Sequence, residues 1–172
     1  DQKVTNEKQA FIALYTYSAI NNLLNSVDIF IMGHIVPSGN LVRTAIESML
    51  IAVLFSGKEI DKDYYVEFSK DKTKFKAHNV FRVVQKNLVK LNINDETWEK
   101  IKDIKKWLNN YSHASALSGT WLYSFSTHSP VMGTHYDKER ASEYGIEFRM
   151  RYVAVDIINE LINVINVNQL VN

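Results

Sequence analysis

Cysteine is absent from this chain of 172 residues, and turn formers are scarce, with six glycines and two prolines. The lack of cysteine excludes disulfides and thiolate metal sites. So few turn-forming residues argue against an all-β fold, which needs many tight turns. The most apolar run, Met49–Phe55, is far shorter than the roughly 20 residues of a membrane helix. Since no signal-peptide pattern is visible either, we expect a soluble, cytoplasmic protein with no membrane contact.

The spacing of apolar residues along the chain indicates helices. Apolar periodicity predicts helices at about 7–32, 41–56, 73–91, from 95 to between 110 and 117, and at 138–167. The segment 33–40, with Pro37 and two glycines, predicts a break between the first two helices. The helix at 41–56 is apolar nearly all round, as the central helix of a bundle is. We therefore predict an all-α, single up-and-down bundle of four to five helices over about residues 7–168, with a long loop at 118–137 before the last helix.

Charge is distributed unevenly, although the formal net charge is only +1. Residues 70–90 hold seven lysines and arginines against the single acid Asp71, and such a block either binds a phosphate backbone or solvates a helix face. Residues 107–136 contain no Asp, Glu, Lys or Arg but hold three of the five histidines. A long uncharged polar stretch predicts a partly enclosed segment rich in hydrogen-bonding groups, so we expect a site there.

The predicted central helix carries two charged residues four positions apart, Arg43 and Glu47. A buried guanidinium and carboxylate must be paired, because leaving either one alone costs several kcal/mol. The pair either clamps neighbouring helices or forms the polar floor of a pocket.

The predicted helix that starts near Asp95 carries its apolar residues on one stripe, which consists of Trp98, Ile101, Ile104, Leu108 and Tyr111. At about 100° per residue, Asn109 and His113 lie on the opposite side of this helix, provided that it continues through residue 113. The two side chains then face solvent, a second subunit or a cleft. Histidine titrates near neutrality and can act as a general acid or base.

The other histidines allow alternatives. His113, His128 and His135, with Asp137, could ligate zinc, but their spacing matches no tight motif, so we expect no metal and no other cofactor. We interpret His78 as a helix-surface residue beside the basic block, near Glu47 in the bundle.

Three aromatic residues, Trp121, Tyr123 and Phe125, alternate with smaller ones, which predicts a short extended piece or hairpin. These rings either stack the bases of single-stranded RNA or fold down as a lid on the core, and we favour the lid.

Two segments, LVRTAIESM at 41–49 and WLNNYSHAS at 107–115, resemble those of HEPN-like helical bundles. The HEPN ribonuclease motif is an arginine, a polar residue, three free positions and a histidine. Here Asn109 and His113 match, but Leu108 stands in place of the arginine, which is thought to bind the scissile phosphate while the histidine handles protons.

The resemblance implies that His113 is the catalytic acid/base, that Asn109 orients it, and that Arg43 or the basic block holds phosphate. We expect Glu47, His78, Ser112 and Tyr111 to be binding residues of the same site. The resemblance also implies a bacterial protein of defence or stress response that binds RNA, and a homodimer, because similar bundles form their cleft at a two-fold interface. Without the motif arginine, we favour a non-catalytic RNA-associated module. The alternative is a metal-independent ribonuclease with His113 as acid/base. The sequence does not indicate a small-molecule ligand.

Overall fold

The structure, a computed structural model, describes residues 2–57, 64–70, 80–111, 119–131 and 133–170, without the side chains of residues 2–6, 67 and 69. These ranges contain six α-helices: α1 (Gln2–Ile31), α2 (Ile35–Ser56), α3 (Tyr64–Lys70), α4 (Val80–Lys86), α5 (Asp95–Leu108) and α6 (Ala141–Leu170). A two-residue strand pair, β1 (Tyr123–Ser124) and β2 (Ser129–Pro130), and a 3-10 turn at Lys138–Arg140 precede α6. The predicted all-α fold is confirmed.

The helix α2 is the centre of the bundle, as its apolar composition predicts. It contacts α1, α3, α4, α5 and α6, and 15 of its 22 residues are buried. By length and composition alone α2 would also pass for a membrane span, but 72% of its most apolar window is covered by the rest of the protein. Such coverage is compatible with the core helix of a soluble protein.

The turn between α1 and α2 is much shorter than the predicted break at 33–40. It occupies only Met32–His34, and α2 already begins at Ile35. Pro37 is tolerated because it lies in the first turn of α2, where a backbone N–H has no carbonyl partner within the helix. Gly33 makes the turn with a φ of +87°, and a Cβ at this position would lie 3.1 Å from the backbone nitrogen of His135. The turn therefore packs closely against the segment before α6.

The helix α5 is shorter than predicted, ending at Leu108. Its start is fixed by Asn94, whose side chain accepts a hydrogen bond of 2.8 Å from the backbone N–H of Thr97. The predicted apolar stripe is confirmed, since all five of its members are buried: Trp98, Ile101, Ile104, Leu108 and Tyr111.

The predicted helix at 73–91 ends earlier than expected. Within the described residues α4 spans Val80–Lys86 and turns follow it up to Asn92, while residues 73–79 of the prediction lie outside the described residues. The helix α3 was not predicted, because its sequence looks charged. It forms because Tyr65 and Phe68 pack on Phe55 of α2, with ring centroids 5.7 and 5.3 Å away.

The buried face of α6 agrees only in part with the apolar stripe that periodicity predicts for the last helix. Of the predicted members, Ile157 and Leu161 are buried and Met150, Val153 and Val164 are partly buried against the core, whereas Ile146 is 58% exposed. The face that packs on the bundle contains two charged residues among apolar ones: Glu147, Arg151, Ala154, Ile157, Ile158, Leu161, Ile165 and Asn168. The prediction missed the first part of this face, because Glu147 and Arg151 are charged and can be buried there only by pairing with each other.

Candidate functional site

The residues of the predicted site are only partly brought together. His113, Ser112 and His78 lie outside the described residues. Asn109 caps the C-terminus of α5 and is exposed, and the chain turns over residues 109–111. The helix α5 therefore ends at Leu108. A face shared by Asn109 and His113 stays a prediction, since His113 lies outside the described residues.

The predicted pair of Arg43 and Glu47 is present on α2. The Nε atom of Arg43 donates to Oε1 of Glu47 at 2.9 Å, and the side chains are 28% and 18% exposed. The Nη1 atom of Arg43 is buried and has no hydrogen-bond partner among the described residues. The pair lies at the edge of the bundle rather than in its centre, and its guanidinium retains an unused donor.

A second charged pair, Glu147 and Arg151 on α6, is completely buried. Nη1 of Arg151 donates to the Glu147 carboxylate at 3.1 Å and to its backbone carbonyl at 2.6 Å. Nε and Nη2 both donate to the hydroxyl of Ser38 on α2, which in turn donates to the carbonyl of Ser26 on α1 at 2.7 Å. All three guanidinium nitrogens are thus used.

Aromatic rings and a tyrosine complete this interior network. The guanidinium of Arg151 lies over the Phe30 ring at 4.1 Å and near the Trp107 ring at 5.8 Å. Tyr111, just after α5, donates a hydrogen bond to the carboxylate of Glu147. We call Ser38, Tyr111, Glu147 and Arg151 the buried polar network. It links α1, α2, the end of α5 and α6 through side chains that water does not reach.

The position of Tyr111 depends on a glycine. A Cβ built at Gly39 of α2 would lie 2.7 Å from Cγ of Tyr111, so the ring rests directly on the backbone of α2. Burial raises the pKa of the Tyr111 phenol, and the negative charge of Glu147 raises it further. The phenol therefore stays protonated and donates to Glu147. Burial also lowers the pKa of Arg151, against the opposing effect of Glu147.

Before α6, the uncharged segment folds into a hairpin held by Asp137. Its carboxylate accepts backbone hydrogen bonds from Phe125 at 2.6 Å, Ser126 at 3.3 Å and Glu139 at 3.1 Å. Burial raises the pKa of Asp137, but these N–H donors outweigh it and leave the pKa below its ordinary value. Asp137 is therefore an anchor of the hairpin rather than a spare ligand.

The aromatic side chains of the hairpin cover an arginine. Arg140 lies over the Trp121 ring at 3.5 Å and donates to the carbonyl of Thr120 at 2.7 Å. Tyr123 and Phe125 pack on each other, with centroids 5.6 Å apart, and are 37% and 39% exposed. The predicted hairpin is confirmed, but the interpretation as a lid on the core is wrong, because the rings pack on Arg140 and on one another. The prediction that this stretch is enclosed also fails over most of residues 119–130, which are largely exposed.

A groove of about 360 Å³ lies where the α1–α2 turn meets the segment before α6, and it is lined by Phe30, Met32, Thr134, His135, Tyr136 and Tyr144 among others. Its walls are mostly apolar and aromatic. Of the candidate zinc ligands, His113 lies outside the described residues, His128 is exposed at the hairpin, and the Asp137 carboxylate accepts backbone hydrogen bonds. Within the described ranges, no three His, Asp or Glu side chains lie close enough together to hold a metal ion.

The described part of the basic block meets a second basic segment. The Nζ atom of Lys105, on α5, lies 4.7 Å from the centroid of the Phe81 ring on α4. The residues next in sequence to this contact, Arg82 on α4 and Lys106 on α5, are exposed, as is Lys86 one turn after Arg82. We call Arg82, Lys86, Lys105 and Lys106 the basic surface. None of the four makes an ion pair with a described residue.

Comparison with protein-family models, with curated proteins and with solved structures finds no match for this chain. Sequence reasoning missed Ser38, Glu147 and Arg151. For the last two a signal exists, because they are four residues apart on a helix, as Arg43 and Glu47 are. For Ser38 there is no such signal.

Proposed function

We propose that this chain is a HEPN-like, non-catalytic binding module that associates with RNA in the bacterial cytoplasm, in defence or stress response. The observation that carries the proposal is the basic surface. Its four cations belong to the described residues and lie on α4 and α5. The contact of Lys105 with the Phe81 ring joins these two helices. Cations that make no ion pair with a described residue can bind phosphates, and their binding releases counterions from the nucleic acid.

The environment of Leu108 supports binding over cleavage. This residue stands where the HEPN ribonuclease motif has its phosphate-binding arginine, and it is 1% exposed within the hydrophobic core. A guanidinium placed there would be desolvated among apolar side chains, which disfavours a charged group strongly. Asn109, the next residue, is exposed at the end of α5. The resemblance in sequence thus does not extend to a phosphate-binding group at this position.

Fluorescence anisotropy with a labelled single-stranded RNA tests the proposal. Four phosphate contacts predict that the logarithm of the association constant falls with the logarithm of salt concentration with a slope of about −3. The double substitution Arg82→Glu and Lys105→Glu should weaken binding by at least about tenfold and flatten this slope.

A matched control reverses two cations elsewhere. Lys138 and Arg149 are exposed, lie near or on α6, and make no ion pair with a described residue. Lys138→Glu with Arg149→Glu changes the net charge equally and should alter binding no more than about twofold. Equal losses in the two double variants, or no binding at low salt, would refute the proposal. Metal-free RNA cleavage that is abolished by His113→Ala would establish the ribonuclease alternative instead.

A further inference from the structure

The helix α1 exposes a row of large apolar side chains on the face opposite to the core. Leu14, Tyr17, Leu24 and Ile31 are 56%, 69%, 62% and 74% exposed. With Asn21 and Asp28, which are also exposed, they repeat at alternating intervals of three and four residues, so they form one stripe along the helix. We call these six residues the outer stripe.

The outer stripe lies in a part of α1 that has almost no charge. Between Gln9 and Ile31, Asp28 is the single Asp, Glu, Lys or Arg, where the chain average of 23% would give about five. A solvated helix normally carries charged residues on its outer face. An apolar and uncharged outer face is what a helix has when a second surface covers it.

We propose that the outer stripe is the contact between two copies of this chain, with the two α1 helices packed antiparallel about a two-fold axis at Asn21. A two-fold contact requires a surface that is compatible with itself. The outer stripe meets this requirement because its only charge is Asp28. In this arrangement the two Asp28 side chains are 14 residues apart along the helix pair, or about 21 Å, which is beyond the screening length at physiological salt.

The polar members of the outer stripe fit the same pairing. At the axis, Asn21 faces Asn21 of the partner subunit, and a single amide at such a seam position is a known means of fixing register. Helical side chains lean toward the N-terminus of their own helix. Tyr17 therefore points toward Asp28 of the partner subunit, to whose carboxylate its hydroxyl can donate. Leu24 lies at the level of Tyr17 of the partner subunit.

The exposed area is appropriate for a dimer. At about 100 to 150 Å² for each large side chain at these exposures, the outer stripe and the neighbouring Ile20 and Met32 supply roughly 600 Å² of apolar surface. A stable interface buries about 800 Å² on each partner, of which the polar rim supplies the rest. This proposal does not depend on RNA binding.

Sedimentation equilibrium provides the first test. The chain should have a mass of twice 19.9 kDa. Leu24→Glu would bury a carboxylate at the seam and should raise the dimer dissociation constant more than about a hundredfold. Tyr152→Glu is the matched control, because Tyr152 is an exposed apolar residue, at 71%, on α6. The control should remain dimeric. A monomer at about 100 μM wild-type protein, or dissociation caused by Tyr152→Glu and not by Leu24→Glu, would overturn the proposal.

Cysteine crosslinking tests the pairing without depending on how Leu24→Glu folds. The chain has no cysteine of its own, so an introduced one is unique. Under mild oxidation, Asn21→Cys should form a disulfide between the two copies, while Leu14→Cys should not, because its two copies would lie about 21 Å apart. Equal crosslinking of both variants would indicate parallel helices, and no crosslinking of Asn21→Cys would also contradict the antiparallel arrangement.

Discussion

Two Arg–Glu pairs of the same spacing occupy opposite environments in this bundle. Arg43 and Glu47 are partly exposed, and the Nη1 atom of Arg43 has no hydrogen-bond partner among the described residues. Glu147 and Arg151 are completely buried, and every nitrogen of the Arg151 guanidinium donates a hydrogen bond. The four-residue spacing is therefore not what makes a charged pair structural. The difference lies in the hydrogen-bond partners from other parts of the bundle, which for the buried pair are Ser38 and Tyr111.

The comparison also separates two kinds of electrostatic contribution. In a partly exposed ion pair, each charged group gives up hydrogen bonds with water for contact with its partner. The pair therefore contributes little net free energy to folding. A buried pair is desolvated whether or not its partner is present, so removal of one member leaves an uncompensated charge.

Replacement of Arg151 by Met should lower the free energy of unfolding by about 3–5 kcal/mol, because it leaves Glu147 buried without its cation. Urea denaturation followed by circular dichroism measures the loss. The double variant Glu147→Leu with Arg151→Met serves as control and should recover most of the stability, since no buried charge remains. A loss below about 1 kcal/mol in the single variant would show that the pair is not essential.

Replacement of Tyr111 by Phe should cost about 1.5–3 kcal/mol, because the Glu147 carboxylate loses a donor. This difference should depend on pH in a defined direction. Burial, then the charge of Glu147, raises the pKa of Tyr111 in the folded chain, whereas a tyrosine in the unfolded chain ionises near pH 10. The advantage of Tyr111 over Phe is then complete below about pH 10 and decreases as the pH rises above it. Denaturation of both proteins from pH 7 to 11 tests this, and a difference that grows above pH 10 would contradict the assignment.

Replacement of Arg43 by Met should lower the free energy of unfolding by less than about 1 kcal/mol, since the pair is partly exposed. The same urea denaturation measures it, with Glu47→Gln as the companion variant. A loss as large as that of Arg151→Met would mean that contacts other than the ion pair with Glu47 also stabilise the fold through Arg43.

The sequence predicts the bundle and its central helix well, because apolar periodicity in α2 and α5 directly reflects burial. In α6, periodicity identifies Ile157 and Leu161 but misses the first part of the buried face, where Glu147 and Arg151 are charged and therefore look like surface residues. Ser38 could not be found at all, because its contact with Arg151 joins residues that are 113 positions apart. Tyr111 and the Arg43–Glu47 pair were identified from the sequence as polar residues of the predicted site. The face expected to hold Asn109 and His113 required α5 to continue through residue 113, whereas α5 ends at Leu108.

The buried polar network also fixes where α6 lies along the bundle. Apolar side chains tolerate sliding, since one Ile or Leu can replace another in the same space. A shift of α6 by one turn, about 5.4 Å, would move Arg151 away from Ser38 and Phe30 while keeping it in the interior, where an unpaired guanidinium is strongly disfavoured. Arg151 thus selects a single alignment of α6 among several that a purely apolar helix would populate. This alignment sets the position of every other residue of α6 along the bundle.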